Sequence, residues 1–258
     1  MVDELFDVAG KVALVTGGTS GIGAMIAEGY ARRGVRTYIA ARDLDRARAA
    51  AAEIAAAGGH CVGLAADLRD ASGAAALIDA LKAHETRLDI LVNNAGANNR
   101  GPITDVSAEA WDDVMDVNLR APFLLTQQAL PLLRAAASDE EHASVINIGS
   151  IGGLHIPNWE AYPYGASKAA IHHLTRALAK RLGVEQIRVN AIAPGPFHSR
   201  LTDTGSEAVR KSIETYIPVK RAGTPQDIQG VCIFLSSRAG AYINGSTIAL
   251  DGGYIAAL

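Results

Sequence analysis

The chain has 258 residues, which is enough to bury a sizeable core within one α/β domain. Its formal net charge of -3 and the even spread of its 24 basic residues argue against a nucleic-acid partner, since a phosphate backbone is bound by a basic tail or stripe. No apolar run reaches the roughly 20 residues of a membrane span, and the first residues lack a signal-peptide pattern, so we expect a cytoplasmic protein with no membrane partner.

Short β-rich runs alternate regularly with longer helical stretches. In chain order, the predicted strands are KVALVTG, VRTYIA, HCVGLAAD, LDILVNNAG, SVINIGS, IRVNAIAPG and STIALDGG. The predicted helices are GIGAMIAEGYARRG, closed by Gly34; DLDRARAAAAEIAAAGG, capped by Asp43; residues 72–84, 107–137 and 164–182; and TPQDIQGVCIFLSS, started by Thr224 and Pro225. About six strand–helix repeats predict a single α/β domain over residues 1–258, with a parallel sheet doubly wound by helices on both faces.

The first predicted strand-to-helix turn is TGGTSGIG, which places Gly17, Gly21 and Gly23 where a strand ends and a helix begins. Glycines there let the backbone approach a pyrophosphate, whose charge is stabilised by the free N–H groups and positive end of the helix. A tight turn alone needs only one or two glycines. The loop therefore predicts a nucleotide site, although by itself it also suits methyltransferases that bind a sulfonium nucleoside.

Tyr164 and Lys168 lie four residues apart in YPYGASK and therefore share a face of their predicted helix. A tyrosine has an ordinary pKa near 10, and a lysine ammonium one helical turn away favours its phenolate and makes it a better acid or base. Tyr162 instead has Ala166 four residues later, so it is predicted to form a substrate wall or to pack. Because such pairs also arise by chance, the role of Tyr164 depends on the rest of the chain.

Seven short motifs occur together in a specific order and spacing. They are TGGTSGIG, NNAG at residues 93–96, VN at 117–118, Ser150 after the fifth strand, YGASK, APG at 193–195 and DGG at 251–253. Over essentially its whole length the chain therefore resembles the short-chain dehydrogenase/reductase family, whose Rossmann-type fold binds a nicotinamide dinucleotide.

The resemblance implies four catalytic residues and a set of cofactor contacts. Tyr164 would be the proton donor, and Lys168 would favour its phenolate and hydrogen-bond the nicotinamide ribose. Ser150 would donate to the substrate oxygen, and Asn118 would hold a water that links Lys168 to solvent. The implied cofactor-binding residues are Gly17, Thr19, Ser20, Gly21, Ile22, Gly23, Arg42, Asp67, Leu68, Asn94, Ala95, Gly96, Tyr164, Lys168, Pro194, Gly195 and Ser199.

The stretch YIAARDLD predicts which dinucleotide is used. NAD-specific sites commonly carry a carboxylate where the second strand ends, but here Ala41 is followed by Arg42, whose guanidinium suits a 2′-phosphate. Asp43 is assigned to the helix cap, and Ser20 stands where the family's other basic NADP mark is usual. We therefore expect a clear but incomplete preference for NADPH, with weaker use of NADH.

Two segments are expected to frame the substrate, a loop at about 151–163 and a flap at about 196–218. Ser150 and Tyr164 are 14 residues apart, one more than the usual family pattern, so the loop between them is expected to carry an extra residue. In ARD, LPLLRAAAS, INIGS, AYPYGASKAA and IAPGPFHSRLT the chain is most similar to 3-oxoacyl-(acyl carrier protein) reductases of the rhamnolipid-biosynthesis type.

That similarity implies an NADPH-dependent reductase of a ketone, for example a 3-oxoacyl thioester. An alcohol or polyol dehydrogenase of the gluconate 5-dehydrogenase type is the alternative. A catalytically silent dinucleotide-binding protein is a more remote one, because silent relatives would be expected to lose the tyrosine or the lysine, and this chain keeps Tyr164 and Lys168. The family resemblance also implies a homotetramer.

The remaining polar candidates give no second site. His155, His172, His173 and His198 have no partner at a metal-ligand spacing, so no metal is expected. His155 and His198 fall in the two segments that frame the substrate. Asp67, which the resemblance places beside adenine, also fits a role at a strand end or as a helix cap.

Overall fold

The computed structural model describes residues 4–156, 159–198 and 204–257. Within those residues the strands are β1 (Val12–Thr16), β2 (Arg36–Ala41), β3 (His60–Ala65), β4 (Ile90–Asn93), β5 (Ala143–Ile148), β6 (Ile187–Pro194) and β7 (Thr247–Leu250). All pair in parallel, in the order β3-β2-β1-β4-β5-β6-β7. The predicted doubly wound α/β fold is confirmed.

The helices among the described residues are α1 (Gly21–Ala31), α2 (Leu44–Ala56), α3 (Ala71–Lys82), α4 (Ala108–Met115), α5 (Ala121–Ala136), α6 (Tyr162–Leu182), α7 (Glu207–Tyr216) and α8 (Pro225–Ser236). As predicted, Asp43 caps α2, because its carboxylate accepts the N–H of Arg46 at 2.9 Å. α6 begins two residues earlier than predicted, since Pro163 is compatible with the first turn of a helix. No helix in this part of the chain is long and apolar enough to cross a membrane.

The prediction of a single helix over residues 107–137 is wrong in one respect. α4 is followed by a π-helical segment, Asp116–Arg120, which leads directly into α5. A π-helical turn widens the backbone hydrogen-bonding ring by one residue, is rare, and occurs frequently at functional sites. This segment carries Asn118, which is 2% exposed, so the irregular turn sets the position of a predicted site residue.

The sheet separates two apolar cores. On one face it is covered by α3, α5 and α6, where Leu77 and Leu125 are buried against the strands. On the other it is covered by α1, α2 and α8, where Ile26 and Ile228 are buried. Burial of each such side chain contributes about 1.5 to 3 kcal/mol. Helices on both faces leave the carboxyl ends of the strands as the accessible edge of the sheet.

The strand order reverses between β1 and β4. From β1 the chain winds outward to β2 and β3, and it then returns to the other side of β1 to continue from β4 to β7. The helices that follow β1 and β4 consequently leave the sheet on opposite faces, which opens a crevice at the carboxyl ends of these two strands. A ligand site in a doubly wound sheet is expected at this position.

Candidate active site

A cavity of about 1020 Å³ opens at the carboxyl ends of the strands, in the crevice between β1 and β4. Ordinary ligand sites measure roughly 300 to 1,000 Å³, so this one has room for a dinucleotide and a substrate together. Arg42 lies at one end of the cavity, which we call the nucleotide end, and Tyr164 lies at the other, which we call the substrate end.

The predicted cofactor residues from Gly17 to Gly195 all line this cavity. Ser199, the remaining one, lies outside the described residues. Ser150 lines the cavity as well, whereas Asn118 is buried beside it. The structure thus gathers residues that are spread over most of the chain.

The glycine loop between β1 and α1 forms the floor of the cavity. Gly17 has a φ of +65°, which side-chain-bearing residues rarely adopt, and Gly23 has no room for a Cβ against the carbonyl of Gly17 and the amide of Asn94. The first turn of α1 presents backbone N–H groups that have no partner within the helix. This backbone therefore fits a diphosphate, with the positive end of the helix behind it.

Three arginines line the nucleotide end, and one of them, Arg69, is paired with Asp67. Arg42, exposed after β2, was predicted; Arg46, one helical turn further along the chain, also lines the cavity and was not. The carboxylate of Asp43 lies between them in sequence but is engaged at the start of α2. A pair of guanidinium groups at this position fits the extra phosphate of NADP better than the bare ribose of NAD.

Asp67 follows β3 and pairs with Arg69 through bonds of 2.6 to 3.2 Å. The hydrogen bond from this guanidinium lowers the pKa of the Asp67 carboxyl to about 2. Asp67 also accepts the backbone N–H of Arg69 at 3.1 Å, as a strand-end aspartate does, and its side chain lines the cavity. The adenine contact and the strand-end role of Asp67 are both compatible with this geometry, but the helix-cap role is wrong, because α3 is capped by Asp70.

The NNAG motif is tied to the glycine loop by Thr16, which the sequence analysis did not single out. The Thr16 hydroxyl accepts the backbone N–H groups of Asn94 and Ala95, each at 3.0 Å. The Asn94 amide donates to the carbonyl of Thr16 at 2.8 Å. These bonds hold the ends of β1 and β4 together at the crevice, and the first residue of TGGTSGIG is the signal that identifies Thr16.

Ser150, Tyr164 and Lys168 converge at the substrate end. Ser150 follows β5, while Tyr164 and Lys168 lie one turn apart on α6, with the Lys168 ammonium 5.6 Å from the centre of the Tyr164 ring. Lys168 is buried and donates to the carbonyl of Ile148 at 2.8 Å. Tyr162, by contrast, is exposed and donates its hydroxyl to Glu160 at 2.8 Å. The register argument thus separates a tyrosine in the cavity from one on the surface.

Burial shifts the acid–base properties of this group of side chains. It raises the pKa of Tyr164, while the neighbouring Ser150 hydroxyl and the charge of Arg100 act in the opposite direction. It lowers the pKa of Lys168 to about 8. It also lowers that of His172, on the next turn of α6, to about 4, with a further contribution from the charge of Lys168. His172 is therefore neutral at physiological pH.

Asn118 is fixed by three hydrogen bonds. Its amide group donates to the carbonyl of Ala97 at 2.9 Å and to the Ser167 hydroxyl at 3.0 Å, and its oxygen accepts the N–H of Ala97 at 2.8 Å. These bonds join the loop after β4 to α6, next to Lys168. Sequence reasoning identified the residue but not these partners, because they come from distant parts of the chain.

The substrate end is closed by side chains from three separate segments. Trp159 stacks near Tyr164, with ring centres 6.1 Å apart, and His155 packs against Tyr254 at 5.1 Å. Tyr254 also contacts Tyr216, at the end of the flap helix α7. Residues 157–158 of the predicted loop and 199–203 of the predicted flap lie outside the described residues. His155 and Tyr254 line the cavity, so the C-terminal segment forms part of this end.

The histidines elsewhere serve other contacts. His173 interacts with Arg176 at 3.2 Å, and His198 interacts with Thr204 at 3.3 Å. Within residues 4–156, 159–198 and 204–257, no group of three or more His, Cys, Asp or Glu side chains is placed to hold a metal ion.

Comparison with known proteins gives consistent matches. The family profile described as enoyl-(acyl carrier protein) reductase matches residues 17–255. The rhamnolipids biosynthesis 3-oxoacyl-[acyl-carrier-protein] reductase of Pseudomonas aeruginosa is 44% identical over 96% of this chain and 98% of its own. The 2-dehydro-3-deoxy-D-gluconate 5-dehydrogenase of Dickeya dadantii is 37% identical over 99% and 100%. The solved RhlG/NADP active-site complex of Pseudomonas aeruginosa superimposes with a TM-score of 0.94 at 43% identity, covering 98% of this chain and 99% of that one.

Proposed function

The chain belongs to the short-chain dehydrogenase/reductase family and is an NAD(P)-dependent oxidoreductase, and from this premise we propose that it reduces ketones with NADPH. The observation that carries the proposal is the convergence of Ser150, Tyr164 and Lys168 at one end of a cavity whose other end presents Arg42 and Arg46. A silent dinucleotide-binding protein has no use for an acid, a second donor and a cation at this place.

Tyr164 is the proposed acid. Its hydroxyl would give a proton to the carbonyl oxygen of a ketone. The cofactor residues from Gly17 to Gly195 would hold NADPH, which would supply the hydride for the carbonyl carbon. Ser150 donates a hydrogen bond to the same oxygen, so that two donors are already in place where negative charge develops. Both side chains line the cavity.

Lys168 supplies the charge that makes Tyr164 a useful acid in either direction. Its ammonium lies 5.6 Å from the centre of the tyrosine ring, and burial lowers its pKa to about 8, so it stays largely protonated at neutral pH. We also assign it the contact with the nicotinamide ribose. For Asn118, the water-holding role stays a prediction, and its bonds to Ala97 and Ser167 support an additional positioning role.

NADPH is the proposed cofactor. The solved relative RhlG is a complex with NADP, and this chain offers Arg42 and Arg46 where its 2′-phosphate would bind. Because no acidic side chain follows β2 directly, the site lacks the carboxylate that holds a ribose in NAD-specific relatives. Weaker activity with NADH stays a prediction of the sequence.

The favoured substrate is a 3-oxoacyl thioester. The similarity to the Pseudomonas aeruginosa reductase supports it, and so do apolar side chains at the substrate end, including Trp159, Phe197 and Ile217. A hydroxylated keto acid of the gluconate type is the second candidate. The specific observation in its favour is that Arg100 and His155 line the same end and provide groups that bind charged or polar substrates.

A panel of carbonyl substrates tests the proposal. Loss of NADPH absorbance is followed with 3-oxoacyl thioesters of coenzyme A and acyl carrier protein, gluconate-type keto acids, diketones and steroid ketones, with Tyr164→Phe as the blank for each. The highest kcat/KM is expected for a thioester. A higher value for the keto acids would select the second candidate, and turnover of none would contradict the assignment as a ketone reductase.

Assembly and location stay predictions. Trp111 on α4 and Phe123 on α5 are about 40% exposed, which supports an interface through these helices and agrees with the homotetramer implied by the family. Light scattering of the purified protein at several concentrations checks the assembly, and fractionation of expressing cells checks the cytoplasmic location.

A further inference from the structure

Tyr164 has two cationic side chains near it, one buried and one exposed. Lys168 is buried on α6, with its ammonium 5.6 Å from the centre of the tyrosine ring. Arg100 lies in the loop after β4, exposed at the mouth of the cavity, and lines the substrate end together with Tyr164. The family resemblance accounts for the lysine and gives the arginine no role.

The position of Arg100 is set by contacts with the substrate loop. Its guanidinium carbon lies 4.3 Å above the centre of the Trp159 ring, a stacking geometry that suits a planar cation. The same Trp159 ring lies 6.1 Å from the ring of Tyr164. A backbone bond from the Gly101 N–H to the carbonyl of Glu160 at 3.2 Å joins the two loops directly. Trp159 therefore holds Arg100 next to Tyr164 at the substrate end.

The two cations differ in the pH up to which they keep their charge. Burial brings the pKa of Lys168 down to about 8, so its charge diminishes above that pH. An arginine stays charged throughout this range. Burial raises the pKa of Tyr164 and thus disfavours its phenolate, and the positive charge of Arg100 opposes this effect.

We propose that Arg100 is a second cation of the proton-transfer site, held over Trp159 so that it stabilises the negative charge left on the Tyr164 oxygen when the proton moves to the substrate. In the reductive direction the O–H bond of Tyr164 breaks, a new O–H bond forms on the carbonyl oxygen, and solvent later returns a proton to the phenolate. Arg100 acts on the reaction only through Tyr164, because its charge lowers the energy of the phenolate. It is therefore a positioning residue and not a catalytic one. The inference rests on the proposed role of Tyr164 and on no particular substrate.

Other titratable groups near Tyr164 are Glu160, His155 and His172. Glu160, beside Trp159, accepts the hydroxyl of Tyr162 on the exposed side of the loop. His155 packs on Tyr254 across the cavity, and His172 lies beyond Lys168 along α6. Glu160 acts against the stabilising effect of Arg100, and solvent screens an exposed guanidinium. The expected effect of Arg100 is therefore modest.

The test is a direct titration of Tyr164 in the full-length protein. Tyrosine residues carry a ¹³C label at Cζ, the Tyr164 signal is assigned by its loss in Tyr164→Phe, and its pKa is measured by NMR. Arg100→Gln is expected to raise that pKa by about 0.5 to 1 unit, as expected for a unit charge at the partly screened surface of a protein. Arg100→Lys, which keeps the charge, should leave it within about 0.3 unit of the parent.

A matched control and a kinetic measurement sharpen the result. Arg46→Gln removes the same charge from the other end of the cavity and should leave the pKa of Tyr164 unchanged. The kcat/KM pH profile is measured with the carbonyl substrate of highest activity. In Arg100→Gln, the limb that reports the ionisation of Tyr164 should shift to higher pH by the amount seen in the titration.

An unchanged pKa of Tyr164 in Arg100→Gln would overturn the inference. If the same variant also showed a higher KM for anionic substrates alone, Arg100 would be a clamp for the substrate. Because the titration needs no turnover, a parent protein that reduces no ketone but shows the predicted shift would contradict the proposed function and would still show that Arg100 stabilises the Tyr164 phenolate.

Discussion

The two ends of the cavity are built from different kinds of structure. At the nucleotide end, Gly17 and Gly23 lie where a strand meets a helix, and the positive φ of Gly17 and the close approach of Gly23 to the carbonyl of Gly17 follow from steric rules within a short stretch. At the substrate end, Trp159 and Tyr254 come from loops and from the C-terminal segment, and their positions depend on contacts with distant residues. The first kind of geometry is encoded locally in the sequence, and the second is not.

The difference also concerns burial. β1, which leads into the glycine loop, is buried along its length, whereas Leu154 and Ile156 of the substrate loop are 44% and 93% exposed. Exposed apolar side chains lose water when an apolar ligand covers them, and they tolerate substitution better than buried ones. Cofactor binding should therefore be sensitive to small changes in backbone space, and substrate preference should depend on surface side chains.

The largest expected effect separates catalysis from cofactor binding. Tyr164→Phe removes the hydroxyl proton and leaves the ring, so turnover should fall by at least about 10²-fold while the Kd for NADPH stays nearly unchanged. Tyr162→Phe is the matched control, because it removes the same group from the exposed tyrosine beside it. Steady-state kinetics and fluorescence titration with NADPH measure the two quantities. Near-normal turnover in Tyr164→Phe would refute the proposed mechanism.

The choice between these tyrosines shows how far the sequence reaches. Only Tyr164 has a lysine on its own helix face, and the structure places it in the cavity and Tyr162 outside. The seven-strand fold and the cap by Asp43 were predictable for the same reason, since both follow from patterns within a few residues. Arg46 was missed, although its place in the first turn of the helix that begins just after Arg42 is a usable signal that it lies near the same end of the cavity.

The contacts of the substrate end were beyond prediction. The pair of Arg100 and Trp159 joins two loops that are far apart in sequence, and neither residue belongs to a periodic pattern. The π-helical turn around Asn118 also has no signature in hydrophobic spacing. The sequence therefore specified the reaction class and left the substrate open.

A second experiment changes the nucleotide end alone. Ala41→Asp with Arg42→Ile installs a carboxylate for the ribose and removes one guanidinium, which should shift selectivity toward NADH by about 2 to 4 kcal/mol. Ratios of kcat/KM for the two cofactors measure the shift, and Arg48→Ile, an exposed arginine elsewhere on α2, is the control. Because Arg46 remains, some use of NADPH should persist. A parent protein that already prefers NADH would show that the assignment of Arg42 is wrong.

Lys168 belongs to the substrate end but is buried like a core residue. A substitution that removes its charge should therefore stabilise the fold and reduce the activity. The pKa of this lysine is about 8 in the folded protein and near 10.5 when unfolded, so the unfolded chain binds the proton more tightly. The resulting destabilisation is complete below about pH 8 and diminishes as the pH rises toward 10.5. Lys168→Met should therefore raise the free energy of unfolding at pH 7 by about 1 to 3 kcal/mol and abolish turnover.

Urea denaturation at several pH values measures that effect. The stabilisation of Lys168→Met should decrease between pH 8 and 10 if burial of the charge is its cause. A stabilisation that does not vary with pH would assign it to better packing of the methionine, and a less stable variant would mean that the bond from Lys168 to Ile148 outweighs the burial cost.

The smallest expected effect concerns Asp43, which serves the helix and the cofactor site at once. Its carboxylate accepts the N–H of Arg46 at the start of α2 and also lines the cavity between two arginines. Asparagine caps a helix about as well as aspartate but carries no charge, so Asp43→Asn should leave the free energy of unfolding within about 0.5 kcal/mol of the parent. Without the repulsion between the carboxylate and a 2′-phosphate, the preference for NADPH over NADH should rise by roughly twofold to fivefold, as for a partly screened charge.

Asp43→Ala removes the cap as well, and should show the same gain in selectivity together with a loss of about 1 kcal/mol in stability. If the two variants differ in selectivity rather than in stability, Asp43 acts on the cofactor through the position of α2, and the nucleotide end depends on helix geometry more than on charge.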